Sequence, residues 1–346
     1  MAAVSNPKET PANFRDALRQ SAIPWAFIAP SAIVMALITL YPQLYQVYMA
    51  FTNMGLRHLA PDSPTPEIVG IDNFIRVVTS QLAIQNYDFA RILIFNIVWT
   101  IANVFMHVVV GVMVALALNA KGLWFKRLYR AVFILPWALP AYITALVWKN
   151  MYDPNFGAFN LLFAKINELL GTALPTDTRW LLQIPPPIDL PGIAPPLDIF
   201  QWLPLAFYAV LLANMWLGWP FMMVIATGAL QSIPKELYEA AEVDGASKWH
   251  RFWAITVPLI RPAMVPAIML GTIWTFNQFN VIYFISAGGP LRQTEILVTQ
   301  AYRLLQVELP DRYGVAAAFS MVVFVILLII TLINNRVTRA TEAYNE

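Results

Sequence analysis

Two groups of uncharged polar residues stand inside otherwise apolar sequence. The first is Asn214 with Gly218, in Asn-Met-Trp-Leu-Gly-Trp-Pro. Four residues apart, they share one face of a helix. The second is Thr272, Thr275, Asn277, Gln278 and Asn280, interleaved with Trp274, Phe276 and Phe279. Carboxamides supply both hydrogen-bond donors and acceptors, and aromatic rings supply flat apolar faces. That combination suits a neutral polyhydroxylated molecule held without ion pairing. Amides also tie one membrane helix to another; their recurrence on two segments favours the polar path. His107 is the one ionisable residue deep in an apolar segment. It reads either as a functional group or as a neutral ring bonded to a neighbouring helix.

Other chemistries lack their residues. The sequence contains no GxxxxGK[ST] phosphate loop, HExxH or GxSxG, and no cysteine. No catalytic or metal-ligating set is therefore assigned. No Asp or Glu lies well inside an apolar segment, which argues against an ion- or proton-coupled carrier. A net charge of +2 gives no footprint for nucleic acid.

The elements that must position these amides are membrane spans. The 346 residues are 59% hydrophobic and only 12% charged, about half the charge of a soluble domain. Six apolar stretches approach or exceed the ~20 residues a bilayer requires: 25–51, 92–118, 131–152, 203–230, 263–285 and 315–334. The fold class expected is an all-α polytopic membrane protein of six spans. Pro30, Pro42, Pro136, Pro140, Pro220 and Pro266 fall within spans, and kinks at 136, 140 and 220 would arrange helices around a path. Residues 119–130, between the second and third spans, hold four basic residues and no acidic one. Positive charge marks the cytoplasmic side, so both termini are expected there. On the outer side, prolines mark the first loop (Pro61, Pro64, Pro66) and the third (Pro185, Pro186, Pro187, Pro191, Pro195, Pro196). These segments read as linkers or as a stiff docking rim. Tyr41, Tyr152, Trp180 and Trp202 suit the interfacial aromatic belts.

One polar stretch interrupts the fourth and fifth spans on the cytoplasmic side, from 233 to 258. Pro234 suits a first helical position, and Leu237, Ala240 and Ala241 give the helix one small face. Gly245 is expected to cap it. Ser247 then starts a second short helix, ended by Pro258. Glu236, Glu239, Glu242 and Asp244 make its polar side acidic, unlike the basic face of a membrane-surface helix.

Glu239-Ala-Ala-Glu-Val-Asp-Gly-Ala, preceded by Ser-Ile-Pro-Lys-Glu-Leu-Tyr and followed by Phe252 and Pro258, resembles the EAA signature of ABC importer permeases in its carbohydrate-importer form. Val69-Gly-Ile-Asp-Asn-Phe74, Leu135-Pro-Trp-Ala-Leu-Pro140, Asn155-Phe-Gly-Ala-Phe-Asn160 and Gly288-Gly-Pro290 resemble further family segments in order. The chain is most similar to the larger, MalF-type permease of maltose and related oligosaccharide importers. The resemblance implies the MetI-like permease fold over 25–335, with segments 1–24 and 336–346 as cytoplasmic ends. It implies a non-catalytic transport subunit in a bacterial or archaeal inner membrane, conducting maltose- or trehalose-like sugars. Its partners would be a second permease, two ATPase subunits that bind the ATP, an extracytoplasmic sugar-binding protein and membrane lipid; the chain itself would hold no cofactor. Glu239, Ala240, Ala241, Asp244 and Gly245 would couple to the ATPase. By motif, the sugar contacts would fall at Trp137, Asn214, Gly218, Thr275, Gln278 and Asn280, with Ala141 and Gly271 beside them. Asn214 and Gly218 keep the type member's residues. Trp137, Ala141, Gly271, Thr275, Gln278 and Asn280 replace its tyrosine, serine, serine, asparagine, asparagine and valine. Neither that member's two additional N-terminal spans nor its large outer domain is expected in this sequence. Glycerol-3-phosphate or another polar solute is the alternative cargo, and a stand-alone carrier the alternative class.

Overall fold

A computed structural model describes residues 14–120, 122–182, 203–306 and 309–342. The proline-rich segment at 185–196 and Trp202 lie outside the described residues. Five helical runs are long and apolar enough to cross a membrane, and a sixth is bent.

The first run joins α1 (Phe14–Met35) to α2 (Tyr41–Ala50) through a π turn at Ala36–Leu40. It begins inside the segment expected to precede the spans. Its apolar side chains, such as Phe27 and Ile38, stay exposed, and only its far end, at Ala50, is buried. Helix α3 (Asp72–Val78) follows. Helix α4 (Phe89–Asn119) starts where the Asp88 carboxylate accepts from the Arg91 N–H at 3.1 Å, an N-cap.

The third stretch is not one straight helix. Helix α5 (Lys126–Ala138) meets α6 (Ala141–Met151) at 90°. The cause is Pro140, whose ring forces Leu139 out of the helical region, to φ −79° and ψ 142°. Of the three prolines expected to kink their helices, only Pro140 breaks one: α5 runs through Pro136, and α8 (Leu205–Ser232) runs unbroken through Pro220. Between them lies α7 (Ala158–Leu170). Tyr152 does not face outward, as a residue of an interfacial belt would. It is buried against Phe159 and Trp180, and its hydroxyl donates to the Ala209 carbonyl at 2.7 Å.

Pro258 does not end a helix. The run from α10 (Lys248–Arg251) passes through a π turn, Phe252–Thr256, into α11 (Val257–Phe276). Pro42 likewise follows a π turn by two residues. In both places the wider turn takes up the ring that would strike a carbonyl four residues back. The same span then breaks in its interior. Helix α11 stops at Phe276, Gln278 adopts φ −74° and ψ 75°, and a single turn, α12 (Phe279–Val281), leads into a π turn at Ile282–Ser286.

The loop after it folds onto Glu295, which is buried. Arg303 of α13 (Leu297–Leu304) donates through Nε to Glu295 Oε1 and through Nη2 to the Ala287 carbonyl, both at 2.7 Å. Helix α14 (Arg312–Glu342) is the last span and continues past residue 335.

Candidate functional site

The centre of the bundle is the contact between α4 and α8. It is close because glycines face it. A Cβ on Gly111 would lie 2.6 Å from Met222 Cβ and 2.8 Å from the Met223 nitrogen, and one on Gly218 would lie 2.2 Å from the His107 ring. Small residues let membrane helices approach in this way.

Helix α4 carries a stripe of buried polar side chains: Asn96, Trp99, Thr100, Asn103 and His107. Their spacing of three, one, three and four keeps them near one face. Asn96, Trp99, Asn103 and His107 reach groups on other helices, while Thr100 bonds the Asn96 carbonyl of its own helix. Trp99 Nε1 donates to the Thr275 carbonyl at 3.1 Å, and Asn96 Nδ2 to the Phe276 carbonyl at 3.2 Å. Those are the carbonyls exposed where α11 stops. Irregular backbone at membrane depth needs such partners. Asn96 Oδ1 also accepts from the Leu297 N–H at 2.8 Å, capping α13. Further along, Asn103 Nδ2 donates to the Trp99 carbonyl at 2.8 Å. Asn103 Oδ1 accepts from Asn214 Nδ2 at 2.8 Å, and Asn214 Oδ1 accepts from Gln278 Nε2 at 3.1 Å. His107 Nε2 lies 2.9 Å from the Asn214 backbone carbonyl.

Beside this network is a cavity of about 470 Å³, within the ~300–1,000 Å³ range of small-ligand sites. Trp137, Asn214, Gly218, Thr275 and Gln278 line it together, with Ala141, Gly271, His107 and Asn277. Asn280 does not. It lies beyond the break on α12, whose neighbouring Phe279 stacks on Tyr283. Trp137, Phe221 and Trp274 form a chain of ring contacts along one wall, with centroids 5.8 and 5.3 Å apart. Among the described residues, the lining holds no Asp, Glu, Lys or Arg. Asn96, Trp99 and Asn103 escaped the sequence reading. Their helical spacing within an apolar run was the available signal.

The polar stretch forms a second feature. Helix α9 (Lys235–Val243) begins one residue after Pro234, which is its N-cap. It ends in a pair of bonds, from the Ala246 N–H to the Ala241 carbonyl at 2.9 Å and from the Gly245 N–H to the Glu242 carbonyl at 3.1 Å. This is the Schellman pattern, and it puts Gly245 at φ +77°, where glycine is favoured. Ser247 caps α10, accepting from the His250 N–H at 3.2 Å. Arg251 bonds Glu242 at 2.7 Å, and the hydroxyls of Tyr238 and Thr256 lie 2.9 Å apart, so α9 is tied both to α10 and to the π turn that follows it. Glu239, Ala240, Asp244 and Gly245 are exposed and Ala241 half-buried. Leu237, Val243 and Trp249 expose apolar surface on the same element.

A bundle of membrane spans around a neutral polar cavity, with a rigid helical elbow outside the bundle, defines a membrane transport component. The chain belongs to the family of binding-protein-dependent transport system inner membrane components, which matches residues 107–342. Members are membrane-embedded permeases of ABC importers rather than their ATPases. Among curated relatives, the galactooligosaccharides transport system permease protein GanP of Bacillus subtilis (strain 168) is 32% identical over 326 residues, covering 92% of this chain and 70% of that protein. The maltodextrin transport system permease protein MalC of Streptococcus pneumoniae serotype 4 is 30% identical over 346 residues, covering 95% and 73%. The fold is that of a solved bacterial ABC transporter involved in import of the acidic polysaccharide alginate, with TM-score 0.72 and 19% identity over 94% of this chain and 98% of that one.

Proposed function

We propose that the chain conducts neutral di- or oligosaccharides of the maltose or trehalose class through an ABC importer. The observation that carries this reading is the cavity: neutral amides and aromatic rings, with no charged lining residue. Hydroxyls find donors and acceptors there, and sugar faces find flat rings. A phosphorylated cargo such as glycerol-3-phosphate would need cationic partners, and none lines the cavity. Relatives named for galactooligosaccharides and maltodextrin support the same class. Trp137, Asn214, Gly218, Thr275 and Gln278 are the proposed contacts. Asn280 belongs to the break rather than to the cavity wall.

The partners in this reading are a second permease, two ATPase subunits and an extracytoplasmic sugar-binding protein. The elbow at 233–258 seats in the ATPase, with Glu239 anchoring polar contacts, the small Ala240–Ala241 face allowing close approach, and Asp244 and Gly245 forming the turn. Both chain termini then lie on the cytoplasmic side of the inner membrane. ATP, held by the ATPase subunits, binds one of two states better and so shifts the cavity between the two sides.

Reconstitution tests this. The complex is expected to take up a labelled disaccharide only with ATP and the loaded binding protein. Glu239→Lys or Gly245→Asp is expected to leave ATP hydrolysis running without uptake. Uptake by this chain alone in liposomes overturns the importer reading, and normal coupled uptake in both variants overturns the docking role of the elbow.

A further inference from the structure

The hydrogen-bond chain on α4 has a direction, and the direction is fixed from one end. A backbone carbonyl can only accept, so Asn103 must turn its Nδ2 toward the Trp99 carbonyl. Its Oδ1 is then left for Asn214 Nδ2, which leaves Asn214 Oδ1 for Gln278 Nε2. No amide in the series can flip without setting oxygen against oxygen. Gln278, at the end, lines the cavity with its Oε1 unpartnered among the described residues and open rather than sealed. The same logic holds at Asn277, which spends Nδ2 on the Ile273 carbonyl at 3.3 Å and keeps Oδ1. It holds at His107 as well. Its Nε2 faces the Asn214 carbonyl and must carry the hydrogen, which leaves Nδ1 as an acceptor.

We infer that α4 sets the hydrogen-bonding sense of the cavity. Asn103, which does not line the cavity, is a positioning residue that makes Gln278 present an acceptor. The cargo group taken there is a hydroxyl acting as donor. This deepens the sugar reading and rests on it for the identity of the cargo. Asn103 acts at a distance of two amides, so its loss frees Asn214 and Gln278 to reverse without removing any group from the cavity wall.

The test compares sugars that differ only in donor capacity. Maltose, maltotriose, trehalose and a galactobiose are first screened for uptake by the reconstituted complex. The transported sugar is then compared with its deoxyfluoro derivatives, since fluorine cannot donate. Only derivatives that the binding protein holds as tightly as the parent are used, so any difference arises in the membrane. In the wild type, at least one derivative is expected to be taken up roughly tenfold more slowly than the parent, the worth of one hydrogen bond. Asn103→Leu removes both ends of the anchor, and the ratio is expected to fall to about threefold or less. Asn103→Thr keeps a hydroxyl that donates four residues back, as Thr100 does to the Asn96 carbonyl at 2.7 Å, and accepts from Asn214; its ratio is expected to stay high. Asn103→Ala replaces the leucine variant should that fail to assemble. An unchanged ratio in the variant lacking the amide overturns the positioning role, as does a collapse in the threonine variant or a wild type indifferent to fluorine. If the wild type transports none of the four sugars, the sugar reading fails, and the proposal with it.

Discussion

Gly218→Ala puts a methyl group into the His107 ring. The new Cβ would stand 2.2 Å from Cε1, 2.3 Å from Nε2 and 2.6 Å from Nδ1, where carbon contacts settle near 3.5–4.0 Å. The ring must therefore move by roughly 1 Å or more. Its bond to the Asn214 carbonyl, 2.9 Å long, is lost with it. Overpacking costs about 1–3 kcal/mol and the lost bond about 1 kcal/mol, while alanine returns about 1 kcal/mol of helix propensity. The complex is expected to lose about 1–3 kcal/mol on that balance. Uptake falls further than stability, because the ring's free side is the cavity. Thermal melting and sugar uptake of the purified complex measure the two effects. The clash is specific, so Gly218→Ala in a His107→Ala background is expected to cost nothing, a coupling of about 1–3 kcal/mol in a double-mutant cycle. Gly228, on the same helix, has nothing within 4 Å of its would-be Cβ, and Gly228→Ala should be neutral or stabilising. Gly111→Ala meets the Met223 nitrogen and Trp219 carbonyl oxygen, backbone that cannot step aside, so removing His107 should not relieve it. Equal cost for Gly218→Ala with and without His107 would refute this account of why position 218 is glycine.

Three further outcomes follow from the same geometry. Gly245 has open space around it but a φ of +77°, so Gly245→Ala is expected to cost about 1–2 kcal/mol of elbow stability through backbone strain alone, and Gly245→Asn distinctly less; hydrogen exchange across 235–251 reads the difference. Asn96→Leu leaves the Phe276 carbonyl and the Leu297 N–H without their partners; two buried groups at about 1–3 kcal/mol each predict a loss of at least ~2 kcal/mol, seen as a lowered melting temperature. Burial pushes the Glu295 carboxyl above the usual range, opposed by Arg303 and Arg292 beside it. An acid whose folded value is raised contributes stability below its unfolded value and loses it as pH rises through the folded one. Melts from pH 4 upward should show that decline, and Glu295→Gln should flatten it.

Hydropathy alone located the spans, because a bilayer demands long apolar runs and leaves little ambiguity about them. The helical elbow was equally legible: Gly245 and Ser247 carry their capping roles in their residue types. What escaped was the interior geometry. Pro136, Pro140 and Pro220 look alike in sequence, yet only Pro140 breaks its helix. The break at Asn277–Gln278 has no proline or glycine to announce it. It exists because Asn96 and Trp99, some 180 residues earlier, stabilise the carbonyls it exposes, and no local pattern contains that information. Motif alone puts Asn280 with the sugar contacts; it lies beyond the break and is not among the residues that line the cavity.

The choice of amides over charges along α4 has a physical logic. In the proposed cycle the site alternates between two states, and such a site has to make and release its contacts at modest cost. Buried ion pairs are poor material for this, since parting them strands charge in a low-dielectric interior at several kcal/mol. Amide-to-amide bonds carry about 1 kcal/mol each. They can be exchanged one for one with hydroxyls of a neutral cargo without any charge crossing the membrane. The break in span five then gains a specific meaning. At the break, Gln278 bonds Asn214 across the bundle, and the last amide of the chain lines the cavity. The break and the polar wall are therefore one construction, joined through the stripe on α4.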